Sequence, residues 1–442
     1  LGLAGAGLGA AAAVAPVFHD LDELASSPKS SVSHPWWVKE LDHWKPSVEV
    51  DWDLMKPFRA DTSPYSFGYI GGYTKYRNQF RKPGIDGNVP GRRLKEYALM
   101  YASRVMRDGM GTAWPALLGP QKGPTPEELD VSRWSGSEEE AAKMIRAAFH
   151  YFGVERVGFI EVNEKTKLLM RPGSNRFENV DQPYKDGGVT VIPSKANRII
   201  VALVRQPIAM TQWQGNPEEP DYDHYPAMQC GSHIGYGDAN KLRARCHEFL
   251  HVLGYIHAGG RISYNVGAGV LAGIGELARL NHLVTPEWGP MIRKCICLIT
   301  DLPLPTTKPI DAGIFRFCQD CAICGEICPS QSISIEKEPT WDMGANALWN
   351  REGLKRYPHN YQTCKGCPFC DTHCPFSQKD IASIHDTVKA IQATTSLFNG
   401  FFANMGKFFG YGHKNNYDDW WDRDLDTYLY DNIAGASTPP GN

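Results

Sequence analysis

The chain has 442 residues, 42% hydrophobic and 21% charged, a balance that allows a substantial buried core and excludes a disordered polymer. Its formal charge is −3, so there is no basic footprint of the kind that binds nucleic acid. No stretch after residue 20 approaches the run of about 20 apolar residues that a spanning helix needs.

Residues 1–18 (LGLAGAGLGAAAAVAPVF) are apolar and uncharged, dominated by Gly and Ala. They resemble the hydrophobic region of an export signal whose charged start is missing, and the low hydrophobicity suits the twin-arginine type. Ala13-Val14-Ala15 resembles a cleavage site, with Pro16 directly after it. Residues 19–135 are rich in Pro, Gly and Trp. Trp36, Trp37 and Trp52 suggest an arm that packs by aromatic anchors, and residues 92–107 have the apolar spacing of a helix at Leu94, Tyr97, Ala98, Tyr101 and Val105.

A regular section follows. Ser137 and Glu140 form a capping box for a helix over 138–152. Residues 157–162, 198–204 and 295–300 read as strands, and 171–185 as a polar loop. A second helix is predicted over 238–253, ended by Gly254, and 267–280 is small, apolar and partly helical. This alternation predicts an α+β or α/β domain around a central sheet. Farther on, 381–402 is a candidate helix. The tail, 411–430, is acidic and aromatic (Tyr417, Trp420, Trp421, Tyr428, Tyr430), which suggests docking onto the body.

The strongest chemical signal lies at 317–375. Cys318, Cys321, Cys324 and Cys328 precede Pro329 with the spacing C-x2-C-x2-C-x3-C-P, and Cys364, Cys367, Cys370 and Cys374 repeat it before Pro375. This is bacterial-ferredoxin spacing for two [4Fe–4S] clusters, in which each motif lends its last cysteine to the other cluster. One cluster is therefore expected on Cys318, Cys321, Cys324 and Cys374, the second on Cys364, Cys367, Cys370 and Cys328. Disulfides or zinc ribbons would use paired C-x2-C knuckles instead.

Three other patterns are weaker. His247-Glu248-x-x-His251 matches a zinc-protease motif, but two four-cysteine clusters have no role in peptide hydrolysis, and Phe249, Leu250 and Leu253 mark a packed helix. The histidines are read as structural. Gly267-x-Gly269 and Gly273-x-Gly275 do not form the nicotinamide fingerprint after a clear strand. Asp371-x-His373 begins like a cobalamin D-x-H-x-x-G motif, but Phe376 stands where its glycine belongs. A corrinoid here would not be held by that histidine.

With these parts placed, the sequence resembles the respiratory corrinoid/iron–sulfur reductive dehalogenases of the chloroethene and chloroalkane type. The order of parts is shared along most of the chain. The residue-level likeness is local: Tyr236, Leu253-Gly254-Tyr255, Ala272-Gly273-Ile274-Gly275-Glu276, Trp288-Gly289-Pro290 and Thr300-Asp301-Leu302. The resemblance implies an α+β fold, with a nitroreductase-like cobalamin-binding core followed by a bacterial-ferredoxin-like domain. The expected units are 1–30 (export remnant and arm), 31–136 (N-terminal region), 137–310 (corrinoid domain), 311–385 (cluster domain) and 386–442 (C-terminal extension).

It also implies a base-off corrinoid fed by the clusters, with Tyr236 as proton donor, Arg293 steadying the phenolate and Asn265 assisting. Tyr264, Ser263 and Arg261 are the candidate corrinoid or substrate contacts. An unaided phenol, with a pKa of about 10, is a poor acid, which is why a neighbouring cation makes sense. The expected substrates are small organohalides such as chlorinated ethenes or alkanes, and the expected role is the terminal step of organohalide respiration. Expected partners are a small integral-membrane anchor protein and a respiratory electron donor, with a homodimer possible and no nucleic acid. The expected place is the cell envelope, on the outer face of the cytoplasmic membrane, because twin-arginine export carries folded, cluster-loaded cargo. The competing readings are an epoxyqueuosine reductase-like tRNA-modifying corrinoid enzyme, disfavoured by the acidic balance, and a non-catalytic electron carrier, which needs no such core.

Overall fold

The computed structural model describes residues 34–57, 79–98, 100–101, 123–213, 225–259, 262–346, 350–377, 384–410, 412, 414 and 416–422. The export-like segment, the end of the 92–107 helix, Tyr428, Tyr430 and Arg261 lie outside them. Among the described residues no helix is long and apolar enough to cross a membrane.

The frame is a three-stranded antiparallel sheet in the order β2–β6–β9, built from β2 (Arg156–Glu161), β6 (Arg198–Arg205) and β9 (Ile292–Thr300). The central strand, RIIVALVR, is a nearly unbroken apolar run because both of its faces are covered. On one face Ile200, Ala202, Val204, Ile296 and Leu298 pack against α1 (Glu138–Phe152) and α3 (Tyr225–Val252) through Ile145, Phe149, Leu242 and Leu250. On the other face Ile199, Val201, Leu203, Cys297 and Ile299 meet Ala268, Val270 and Leu271 of α4 (Asn265–Leu271). The alternate residues of one strand thus serve two cores.

The predicted capping box of α1 is present: Ser137 Oγ accepts from the Glu140 amide at 3.2 Å, and Glu140 Oε2 accepts from the Ser137 amide at 2.8 Å. Gly153 ends the helix in the left-handed region, at φ 113°. After the short helix α2 (Ile208–Gln212), helix α3 begins 13 residues before the predicted start at 238. Gly231, Gly235 and Gly237 weaken helical propensity there, but tertiary packing overrides it. A Cβ on Gly235 would stand 2.8 Å from Cβ of Arg293, so this glycine lets the helix lie directly on β9.

Two other expectations are corrected. The segment 171–185 is not a plain loop: β3 (Asn175–Glu178) and β4 (Tyr184–Asp186) flank β5 (Val189–Pro193) in a small sheet. Their polar, solvent-facing residues hid the strand pattern. The single helix expected over 381–402 is two, α8 (Ile384–Thr394) and α9 (Asn399–Phe409), broken at residues 395–398.

A separate apolar cluster surrounds the cysteine segment. It joins Ile314 and Phe317 of α5 (Ile314–Cys321) to Ile323 of α6 (Ile323–Glu326), Phe376, Ala393 and Phe402. Trp37 packs into it as well, while β1 (Lys39–Glu40) pairs with β10 (Ile310–Asp311) and ties the N-terminal arm to the linker before α5. At the far end Tyr417 is buried with Trp213, Tyr97 and Met210, and Trp421 Nε1 donates to Glu96 at 2.8 Å. The described part of the aromatic tail is docked.

The His247–His251 pair is built into packing. His247 Nδ1 lies 3.1 Å from His257 Nδ1, while His251 Nε2 lies 3.1 Å from the Gly123 carbonyl. Glu248 accepts a bond from the Gly123 amide. Burial, with the charges of His257 and Arg243 adding to it, holds His247 at about 3, and burial holds His359 at about 3. Their folded values lie below the unfolded value of about 6.5, so the unfolded chain binds the extra protons. The stability they secure is complete above that value and is lost progressively as pH falls toward the folded value. At pH 5 each should remove about 2 kcal/mol. Denaturant midpoints at neutral pH and pH 5 should show this loss, and a smaller loss in His247→Gln; equal slopes in the two proteins would remove His247 as its source.

Candidate active site and cysteine cage

Tyr236 and Arg293 come together where α3 crosses the start of β9. The Arg293 guanidinium carbon lies 4.9 Å from the centroid of the Tyr236 ring. Arg293 Nη1 is held by Gln206 Oε1 at 2.9 Å and Ser232 Oγ at 3.1 Å, which fixes the cation over the face of the tyrosine ring. A fixed positive charge beside a phenol stabilises the phenolate left after proton transfer. Lys294 also lies within reach of the charges of Tyr236 and Arg243, and burial holds its amine below the usual lysine range.

Gln206 and Ser232 carried no motif and were missed. They lie 87 and 61 residues from Arg293 in sequence, so only the fold reveals that they orient it.

The other sequence candidates separate. Asn265 starts α4, and its Nδ2 donates to the Ile262 carbonyl at 2.6 Å, closing its own turn. The amides of Ser263 and Tyr264 both donate to the Leu169 carbonyl, at 3.0 and 3.1 Å. The Tyr264 ring is covered by Arg351, whose guanidinium carbon is 4.8 Å from the ring centroid. Burial lowers Arg351 to about 10. Among the described residues, the buried Nε atoms of Arg293 and Arg351 have no hydrogen-bond partner. Such leftover donors beside two tyrosines suit a large ligand rimmed with amide and phosphate acceptors, as a corrinoid is.

The eight motif cysteines sort into two neighbourhoods. Cys318 and Cys321 lie on α5, Cys324 on α6, and Cys374 arrives from the second motif into the same apolar cluster. Burial pushes the Cys318 thiol up to about 11 and that of Cys321 up to about 12. Cys324 is raised well above the thiol range by burial and then by repulsion from Cys318, Cys321 and Cys374. Cys370, on α7 (Phe369–Thr372), is raised by burial, Asp371, Cys367 and Cys364. Cys328 is tied to this second group indirectly: its Sγ accepts from the Ser332 amide at 3.3 Å, and Ser332 Oγ lies 3.0 Å from Thr363 Oγ1, beside Cys364.

Among the described residues no three His, Cys, Asp or Glu side chains stand as a cage for a single metal ion. The donor set nevertheless fits iron–sulfur chemistry. Buried thiols with raised values become thiolates only when a cation arrives to offset their charge. Several sulfurs also accept backbone amides, as at Cys318 from Arg279 (3.5 Å) and Cys364 from Gly366 (3.4 Å).

Comparison with known proteins agrees with this assembly. A family model described as a reductive dehalogenase subunit matches residues 33–304. The chain is 30% identical to a chloroethene reductive dehalogenase of Dehalococcoides mccartyi (strain VS), across 98% of this chain and 96% of the relative. It is 28% identical to a trichloroethene reductive dehalogenase of Dehalococcoides mccartyi (strain ATCC BAA-2266 / KCTC 15142 / 195), across 95% and 94% of the two chains. Among solved structures, the catabolic reductive dehalogenase NpRdhA superposes with a TM-score of 0.61 at 18% identity, covering 92% of this chain and 54% of that one. The chain thus spans about half the length of that solved neighbour. These matches place the protein among the oxidoreductases. It belongs to the reductive dehalogenase family, whose members act on carbon–halogen bonds.

Proposed function

We propose that this protein reductively dehalogenates small chlorinated hydrocarbons, ethenes before alkanes, at a corrinoid bound next to Tyr236 and fed by two [4Fe–4S] clusters. The observation that carries the reading is the Tyr236–Arg293 pair, with the guanidinium 4.9 Å from the ring centroid on the frame that also carries the cysteine segment. The names of the relatives, chloroethene and trichloroethene reductive dehalogenases, support the substrate class. A solved neighbour of like fold is described as suggesting a mechanism for B12-dependent dehalogenation, which supports the corrinoid.

In this reading the sheet, α1, α3 and α4 form the nitroreductase-like core within 137–310, and 311–385 is the ferredoxin-like unit. Cys318, Cys321, Cys324 and Cys374 hold one cluster, while Cys364, Cys367, Cys370 and Cys328 hold the other. Tyr264 and Ser263 would contact the corrinoid, and Arg261 remains the third candidate named from the sequence. When bound and fully reduced, the corrinoid supplies the low-potential two-electron chemistry that cleaves a carbon–halogen bond. The residues of this chain manage the proton. Tyr236 gives its phenolic proton to the carbon that has lost the halogen, and Arg293, held by Gln206 and Ser232, stabilises the oxygen left behind. Asn265 is the assisting group in this reading.

Export by the twin-arginine route, residence on the outer face of the cytoplasmic membrane, a small integral-membrane anchor protein and a respiratory donor complete the proposal. The Gly/Ala-rich start supports the first of these. The test is chloride release from trichloroethene by anaerobically prepared, corrinoid-loaded protein with a reduced viologen as donor. Stoichiometric chloride and the less chlorinated ethene are expected; a loaded enzyme that releases none from any chlorinated ethene or alkane contradicts the reading.

A further inference from the structure

Arg279 is completely buried, at 0% exposure, yet among the described residues its hydrogen-bond partners include no carboxylate. Its Nε and Nη2 donate to the Cys318 carbonyl at 3.1 and 2.6 Å, and its Nη1 donates to the Ser334 and Glu336 carbonyls at 2.8 and 2.6 Å. Its guanidinium carbon lies 3.7 Å from the centroid of the Tyr357 ring. The nearby buried carboxylate of Glu276 is committed elsewhere: it accepts from the amides of Ala312, Ile314 and Phe315, at 2.6, 3.1 and 3.3 Å, around the start of α5.

A guanidinium keeps its charge at any ordinary pH, and a buried charge without a counterion is among the most unfavourable groups a core can hold. The carbonyls and the aromatic face solvate it but do not neutralise it. The charges that would do so are the neighbouring thiolates. The Arg279 amide donates to Cys318 Sγ at 3.5 Å, and its guanidinium is bound to the Cys318 carbonyl, so the fixed positive charge sits directly beside the first group of cysteines. The side-chain bonds of Arg279 run to residues 318, 334 and 336, and among the described residues none runs to the second motif.

We propose that Arg279 is the built-in countercharge of the cluster held by Cys318, Cys321, Cys324 and Cys374, and that it raises the reduction potential of that cluster above what the thiolates alone would set. This rests on the cluster reading given above. Reduction by one electron from an external low-potential donor adds one negative charge to an anionic cluster and moves no proton. A fixed cation a few ångströms away favours the reduced form, the more so in a dry interior. Arg279 is therefore a positioning and tuning residue, not one that touches substrate.

The experiment is a redox titration of the reconstituted full chain followed by electron paramagnetic resonance, with iron counted separately. Arg279→Gln keeps a donor and removes the charge; Arg279→Lys keeps the charge. At a fixed ambient potential, Arg279→Gln should lower the reduced-to-oxidised ratio of the first cluster at least tenfold, about 59 mV for one electron. Arg279→Lys should stay well within that interval, and the second cluster should not move in either variant. If both variants keep the wild-type potential with full iron, or if Arg279→Lys falls as far as Arg279→Gln, the residue is only a clamp and the proposal is wrong. Should Arg279→Gln hold no cluster at that site, Arg279→Lys decides. Loading near the wild-type potential supports the countercharge; failure to load, or a tenfold fall, overturns it. Wild-type protein with no iron signal at all would instead defeat the cluster reading itself.

Discussion

Replacing Tyr236 with phenylalanine is expected to lower dehalogenation by at least about 100-fold, the scale of losing a positioned general acid. Only one oxygen is removed. The ring that packs under Arg293 remains, and the helix that carries it is held by Leu242, Cys246 and Leu250 in the core below. Iron and cobalt content should therefore match the wild type, and binding of substrate should change far less than turnover. Arg293→Met should give a smaller but still large loss, because the phenolate then lacks its cation and Gln206 and Ser232 lose the group they hold. Rates and metal content measured on the same preparations separate these outcomes from simple misfolding. A Tyr236→Phe enzyme with wild-type turnover would remove the tyrosine as proton donor.

The second large effect concerns Cys374. It belongs to the second motif by sequence, but it lies with Cys318, Cys321 and Cys324 in the fold, and its thiol is raised by burial and then by Cys318. Cys374→Ala should cost about four of roughly eight irons. Its remaining paramagnetic signal should match that of Cys318→Ala and differ from that of Cys364→Ala. A spectrum that instead matches the Cys364 variant would overturn the exchange of last cysteines between motifs. Turnover should fall to near zero in each case, since both clusters lie on the proposed route of electrons to the corrinoid.

The cysteine spacing and the α1 capping box were legible because each depends on short-range geometry that few other sequences meet. The strands of the main sheet were legible because burial on both faces leaves an almost continuous apolar run, as in β6. The early turns of α3 were not, since Gly231 and Gly235 look like helix breakers until their close contacts with Thr211 and Arg293 are seen. The small sheet β3–β5–β4 escaped notice because its strands are short and two of them are partly or wholly exposed. Tyr236 and Arg293 could be named only through a family likeness; nothing local marks either residue as chemical. Arg279 is the sharpest case. In Gly275-Glu276-Leu277-Ala278-Arg279 it reads as an ordinary surface arginine, yet it is fully buried, because three carbonyls and an aromatic ring from distant segments converge on it.

The central claim, a corrinoid and two iron–sulfur clusters on one chain, is tested most directly by metal analysis of anaerobically purified protein matured with corrinoid supplied. About eight irons and about one cobalt per chain are expected. Iron at that level without cobalt would contradict it and leave an electron carrier; zinc in place of cobalt would return attention to His247 and His251.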